Sequence, residues 1–72
     1  MYSLPFMYNL IKEERVKQKK AQQDMASYCS VSRQTIHAIE NQRLRPTVYL
    51  AILIARFLSK KVEEIFFVEE KK

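Results

Sequence analysis

None of the 72 residues is glycine, and that absence narrows what the chain can build. A residue carrying a Cβ is penalised in the left-handed backbone region, so any turn that needs positive φ must use Asn, Ser or another residue at some cost. A glycine-rich phosphate-binding loop is excluded outright. The chain is also short. Seventy-two residues suffice for one compact domain, residues 1–72, whose small core leaves only a few kcal/mol of net stability, so self-association would help.

Charge points to a polyanion. Lysine and arginine number 13 against 8 acidic residues, a net of +5, which favours DNA, RNA or an acidic membrane surface without choosing among them. Residues 1–45 hold eight basic and four acidic side chains, and residues 46–72 hold five and four, so the excess cation sits mainly in the first two thirds. The longest apolar stretch, Val48 to Leu58, is broken by Arg56 and falls well short of the ~20 residues that span a bilayer. Cys29 is the single cysteine and cannot form an internal disulfide; with no signal-peptide pattern, a reducing cytoplasm is the expected location. It reads as a small core hydrophobe. One His, one Cys and one Asp make neither a triad nor a metal cluster, so neither an enzyme, a cofactor, a metal nor a small-molecule ligand is expected.

Apolar spacing predicts five helices. Met1 to Tyr8, apolar and aromatic with Pro5 inside, reads as an extended arm or edge strand. Asn9 is the expected N-cap of a first helix from Leu10 to Lys19 with a thin stripe of Leu10, Ile11 and Val16. A second helix from about Gln22 to Cys29 places Met25, Ala26 and Cys29 on one face. Ser32 caps a third, Arg33 to Asn41, with Ile36, Ile39 and Glu40 inward and Gln34, His37, Ala38 and Asn41 outward. After the basic turn Gln42 to Arg45, Thr47 caps a fourth helix ending near Leu58. That helix is apolar on two sides: Val48, Ala51, Ile54, Ala55 and Leu58 on one, and Tyr49, Ile52, Leu53 and Phe57 on the other. It therefore needs two surfaces to pack against, and its outer side either lies under the terminal arms or forms a dimer seam. A short fifth helix, about Val62 to Ile65, leads into the strand-like Phe66 to Val68 and a charged tail. The two extended ends could pair as a small antiparallel ribbon.

Two short helices joined by a tight turn, the second with a capped polar start, let one helix cross a phosphate backbone while the next enters the major groove. The order Gln22, Met25, Ala26, Val31 to Ile36, Ile39, Glu40, Asn41 closely resembles the lambda-repressor and Cro, or XRE, type of helix-turn-helix. VSRQTIHAIEN, residues 31–41, is its most specific part. The resemblance spans about Asn9 to Phe66 and is similar to short cytolysin-repressor-type members, which have strand-forming ends and are dimeric. It implies a predominantly α fold of five helices, double-stranded DNA as partner, and a homodimer with Tyr49, Ile52, Leu53, Phe57, Phe66 and Phe67 at its interface. It further implies Gln22 on phosphate, Arg33, Gln34, His37 and Ala38 at base edges, and an ion pair between Arg15 and Glu40. Chemistry agrees at three positions, since Gln34 can pair bidentately with adenine, Arg33 with guanine, and the Ala38 methyl can meet that of thymine. Thr35, Asn41, Arg43, Arg45, Lys19 and Lys20 flank this face as candidate phosphate contacts. Lys19, Ser30, Gln42 and Ser59 stand where such proteins usually have glycine, and Glu14, Lys20 and Lys60 where they are usually apolar. The function these features imply is a dimeric transcriptional repressor. The rival is a protein-interaction module of the same fold that has lost DNA binding.

Overall fold

The periodic segments coil where their apolar spacing is helical and extend where the aromatic ends are not. The structure, a computed structural model, describes residues 6–69: β1 (Phe6–Asn9), α1 (Ile11–Lys17), α2 (Gln22–Cys29), α3 (Arg33–Glu40), α4 (Val48–Phe57), α5 (Val62–Ile65) and β2 (Phe66–Glu69). The first five residues of the expected arm and the last three of the charged tail lie outside the described residues. Ile11, Met25, Ala26, Cys29, Ile36, Ile39, Ile54, Leu58 and Ile65 form one buried cluster to which all five helical segments contribute. Each fully buried aliphatic side chain there contributes about 1.5–3 kcal/mol. Burial pushes the Cys29 thiol above its ordinary pKa, which keeps it protonated and unreactive.

The two ends meet. β1 and β2 pair antiparallel with Tyr8 opposite Phe67 and Asn9 opposite Phe66, and the Tyr8 and Phe67 rings stack at 5.2 Å between centroids. A two-stranded ribbon is marginal alone; here Phe66 packs against the core and anchors it.

Caps set the helix starts. Ser32 Oγ accepts from Thr35 N at 3.1 Å, and Thr47 Oγ1 from Leu50 N at 3.1 Å, each satisfying one orphan amide of a first turn. Asn9 acts one position earlier than a true N-cap: it ends β1, and its Oδ1 accepts from Ile11 N at 3.1 Å, while Leu10 N donates to Ile65 O. The first helix thus begins at Ile11 rather than Leu10.

The helix ends expose the consequence of having no glycine. Lys19 (φ 58°), Ser30 (58°), Gln42 (63°) and Ser59 (56°) all take the left-handed conformation, and each follows the last residue of one of α1 to α4. The residue after each donates back into the helix: Lys20 N to Arg15 O, Val31 N to Ala26 O, Arg43 N to Ala38 O and Lys60 N to Ala55 O, at 2.9–3.0 Å. These are four Schellman closures built on side-chain-bearing residues. They explain why α1 stops at Lys17 instead of running to Lys19, and why α3 is one residue shorter than its pattern.

Along α4 one expectation fails. Ala51, Ile54, Ala55 and Leu58 are buried, but Val48 is 78% exposed. The inward stripe begins one turn after it, and Val48 instead lines an apolar groove of about 400 Å³ with Met7, Pro46, Ala51, Ile52, Val62 and Phe66.

Ser30→Gly and Ser59→Gly each relieve a positive-φ penalty and break no side-chain hydrogen bond. Even after the larger unfolded-state entropy of glycine, each should raise stability by about 0.5–1 kcal/mol, read as a shift of the urea midpoint with unchanged slope. An unchanged or lower midpoint would show that the left-handed caps carry no strain.

Candidate nucleic-acid interface

Three residues, Ser30 to Ser32, turn the chain between α2 and α3. The left-handed Ser30 closes one helix and the Ser32 hydroxyl opens the next. On α3 the isoleucines at 36 and 39 are fully buried, so the residues a third of a turn away face solvent. Arg33, Gln34 and His37 are exposed and Ala38 is half-buried. The first three line a shallow open depression of about 210 Å³. Gln34 makes no side-chain hydrogen bond among the described residues, leaving its amide donor and acceptor free. His37 is linked through Nε2 to Asn41 Nδ2 at 3.1 Å, and the same Asn41 amide donates to His37 O at 2.9 Å.

Behind this face lies a charged network. The Glu40 side chain, 1% exposed, receives Arg15 Nε at 2.7 Å and Arg15 Nη2 at 3.2 Å, a forked pair that ties α1 to α3. Gln22 Nε2 donates to the Glu40 carboxylate at 2.9 Å. With its nitrogen so anchored, Gln22 presents Oε1 outward, where it accepts from Arg33 Nε at 3.3 Å. The buried ion pair is therefore connected, through one amide at the start of α2, to the exposed guanidinium at the start of α3. The sequence suggested Gln22 as a phosphate ligand and Arg33 as a base reader; their mutual bond went unread, although both residues open adjacent helices of a tight two-helix unit.

The flanking cations divide. Lys19, Arg43 and Arg45 are exposed and their side chains make no hydrogen bond among the described residues. Lys20 is placed otherwise: Nζ donates to Phe57 O at 2.7 Å and stands 4.7 Å from the centre of the Phe57 ring. It caps the carboxyl end of α4, where a cation is favoured, and leaves the set of free cations. Thr35 is half-buried with Oγ1 3.0 Å from Ser32 Oγ.

The suggested interface residues also divide. Tyr49 is 74% and Ile52 40% exposed. Leu53, Phe57 and Phe66 are half-buried against the core of their own chain, Phe57 also meets the Tyr28 ring at 5.5 Å, and Phe67 is stacked on Tyr8.

Compared with known proteins, residues 11–65 match the family model described as Helix-turn-helix. The chain belongs to the XRE-type helix-turn-helix family. An uncharacterized HTH-type transcriptional regulator of Methanocaldococcus jannaschii is 42% identical over 64 residues, covering 89% of this chain and 97% of the relative. A similarly described protein of Methanothermobacter thermautotrophicus is 40% identical, covering 89% and 94%. YgzD of Bacillus subtilis, described in the same words, is 35% identical, covering 90% and 98%. Among solved structures, a crystal structure of a Bacteroides fragilis protein proposed to bind DNA superposes with a TM-score of 0.80 at 18% identity, over 86% of this chain and all of that one. Its likeness supports the fold. In this helix-turn-helix chain α2 and α3 are the two helices of the motif.

Breaking the ion pair from one side strands a buried charge. Arg15→Ala should lower unfolding stability by about 3 kcal/mol or more, measured by chemical denaturation. A loss under ~1 kcal/mol would mean that Glu40 is relieved by protonation or water and does not hold the helices together.

Proposed function

We propose that this protein is a sequence-specific, double-stranded DNA-binding transcriptional regulator, acting as a homodimer in the cytoplasm. One observation carries the reading: α3 buries Ile36 and Ile39 and leaves Arg33, Gln34 and His37 exposed on one face, with the Gln34 amide unengaged. A guanidinium and a free amide on the first turn of a helix are the groups that read guanine and adenine edges in the major groove. Ala38 offers a methyl for thymine. Lys19, Arg43 and Arg45 supply phosphate attraction beside them, Thr35 and Asn41 add polar contacts, and Gln22 joins them through its second amide proton. The net charge of +5 and the names of the relatives agree with this reading.

Dimerisation follows from the exposed Tyr49 and Ile52 on α4 beside the apolar groove. Large apolar side chains left together on a surface mark an interaction site. A twofold dimer presents two α3 helices to successive major grooves, so the operator is pseudo-palindromic with half-sites ~34 Å, or a multiple, apart. With no separate effector domain in these residues, promoter occlusion is the simplest action, which makes the protein a repressor. The same apolar patch is what an interaction module without DNA binding would use.

Selection of bound duplexes from a random pool, followed by fluorescence titration, separates the two readings. A palindromic consensus bound with steep salt dependence supports the regulator; no selection at low salt contradicts it. Gln34→Ala should lose about 1–3 kcal/mol of discrimination at one position of each half-site. Arg43→Ala should weaken all sequences alike and reduce the log–log salt slope by about one. Ile52→Glu should convert the dimer to monomer in analytical ultracentrifugation, and a monomeric wild-type protein would contradict the dimer assignment.

A further inference from the structure

Of the four left-handed cap residues, three use no side-chain hydrogen bond, whereas the fourth is engaged throughout. Gln42 Oε1 accepts from both Asn9 N and Asn9 Nδ2 at 3.2 Å. Its Nε2 donates to Asn9 O at 3.3 Å and to Glu40 O at 3.2 Å. The side-chain amide thus satisfies the amide and the carbonyl of a single β1 residue, as a neighbouring strand would. Asn9, 5% exposed, completes the joint from its side: Nδ2 donates to Ile39 O at 2.8 Å and Oδ1 holds Ile11 N. The last carbonyls of α3, from Ile39 and Glu40, are in this way bonded to the end of the terminal ribbon and to the residue that follows the helix.

We infer that Gln42 is a positioning residue for DNA recognition, clasping the carboxyl end of α3 to Asn9 of β1 so that the base-reading face is held at a fixed attitude to the ribbon. The inference rests on the DNA-binding reading of α3. It explains why an unfavourable backbone position is occupied by glutamine: glycine there would ease φ and lose the clasp. The amino end of α3 is already fixed by the Ser32 cap and by the bond from Arg33 to Gln22. The clasp is the corresponding restraint at the other end. A helix restrained at both ends loses less orientational freedom when it docks, and that preorganisation favours the correct base sequence over incorrect ones.

Glycine and alanine at position 42 separate the clasp from the strain, because both remove the amide but only glycine relaxes the backbone. Gln42→Gly and Gln42→Ala are compared with wild type for thermal unfolding and for affinity toward the selected duplex and a scrambled one. The expected result is that Gln42→Gly, folded at the assay temperature, loses about tenfold in the ratio of specific to nonspecific affinity, comparable to one mismatched base pair. Its salt slope on the scrambled duplex stays unchanged, a separation that a merely structural defect would not give. Gln42→Ala should show the same loss with lower thermal stability. If Gln42→Gly keeps the wild-type ratio, whether or not Gln42→Ala does, the inference is overturned while the DNA-binding reading stands. If wild type itself selects no duplex, that reading fails and the inference falls with it.

Discussion

A carboxylate hidden from water governs this structure. Glu40 is 1% exposed at its side chain, and a buried charge is tolerated only when it is paired and its lone pairs are hydrogen-bonded. Arg15 supplies the fork and Gln22 the remaining donor, so three helices must meet at one point with their side chains in one arrangement. Hydrophobic burial alone would allow α3 to slide or roll over the isoleucine layer, since packing of similar volumes is permissive. A directional bond network is not. Arg15 also donates Nη1 to Lys20 O at 2.8 Å, which extends the same restraint into the turn leading to α2.

From that point outward the recognition face follows. Glu40 and Ile36 occupy the buried side of α3, and Arg33, Gln34 and His37 are presented by the geometry of the same coil. The link from Glu40 through Gln22 to Arg33 means that the outermost guanidinium is oriented by the innermost charge. At the far end of α3 the glycine-free composition supplies the second restraint. A left-handed glutamine is costlier as backbone than glycine, yet it reaches β1 with a side chain that glycine lacks.

Much of this could be read from the residues. Gln22 to Cys29 showed its helix by spacing, Ser32 and Thr47 by their caps, and the ribbon by aromatic extended ends. The resemblance of residues 31–41 carried the family. What could not be read were polar contacts between residues distant in sequence. Periodicity tells which face of a helix is apolar, but not which amide will meet which carbonyl 33 residues away, as Gln42 meets Asn9. Lys20 looked like any surface cation because its partner is a backbone oxygen of α4, and a main-chain acceptor leaves no mark in sequence. Val48 fitted the inward stripe by number, but it lies in the first turn of α4, one turn before the buried residues begin.

The central claim is that the face of α3 carrying Arg33, Gln34 and His37 is the surface that meets nucleobases. Titrating isotope-labelled protein with its selected duplex and following backbone and side-chain amide resonances tests it most directly. The account predicts the largest shifts at Arg33, Gln34, His37 and Ala38, including the free Gln34 side-chain amide, with smaller ones at Lys19, Arg43 and Arg45 and little change on the core face of α4. Shifts concentrated at Val48, Tyr49 and Ile52 with α3 silent would contradict it.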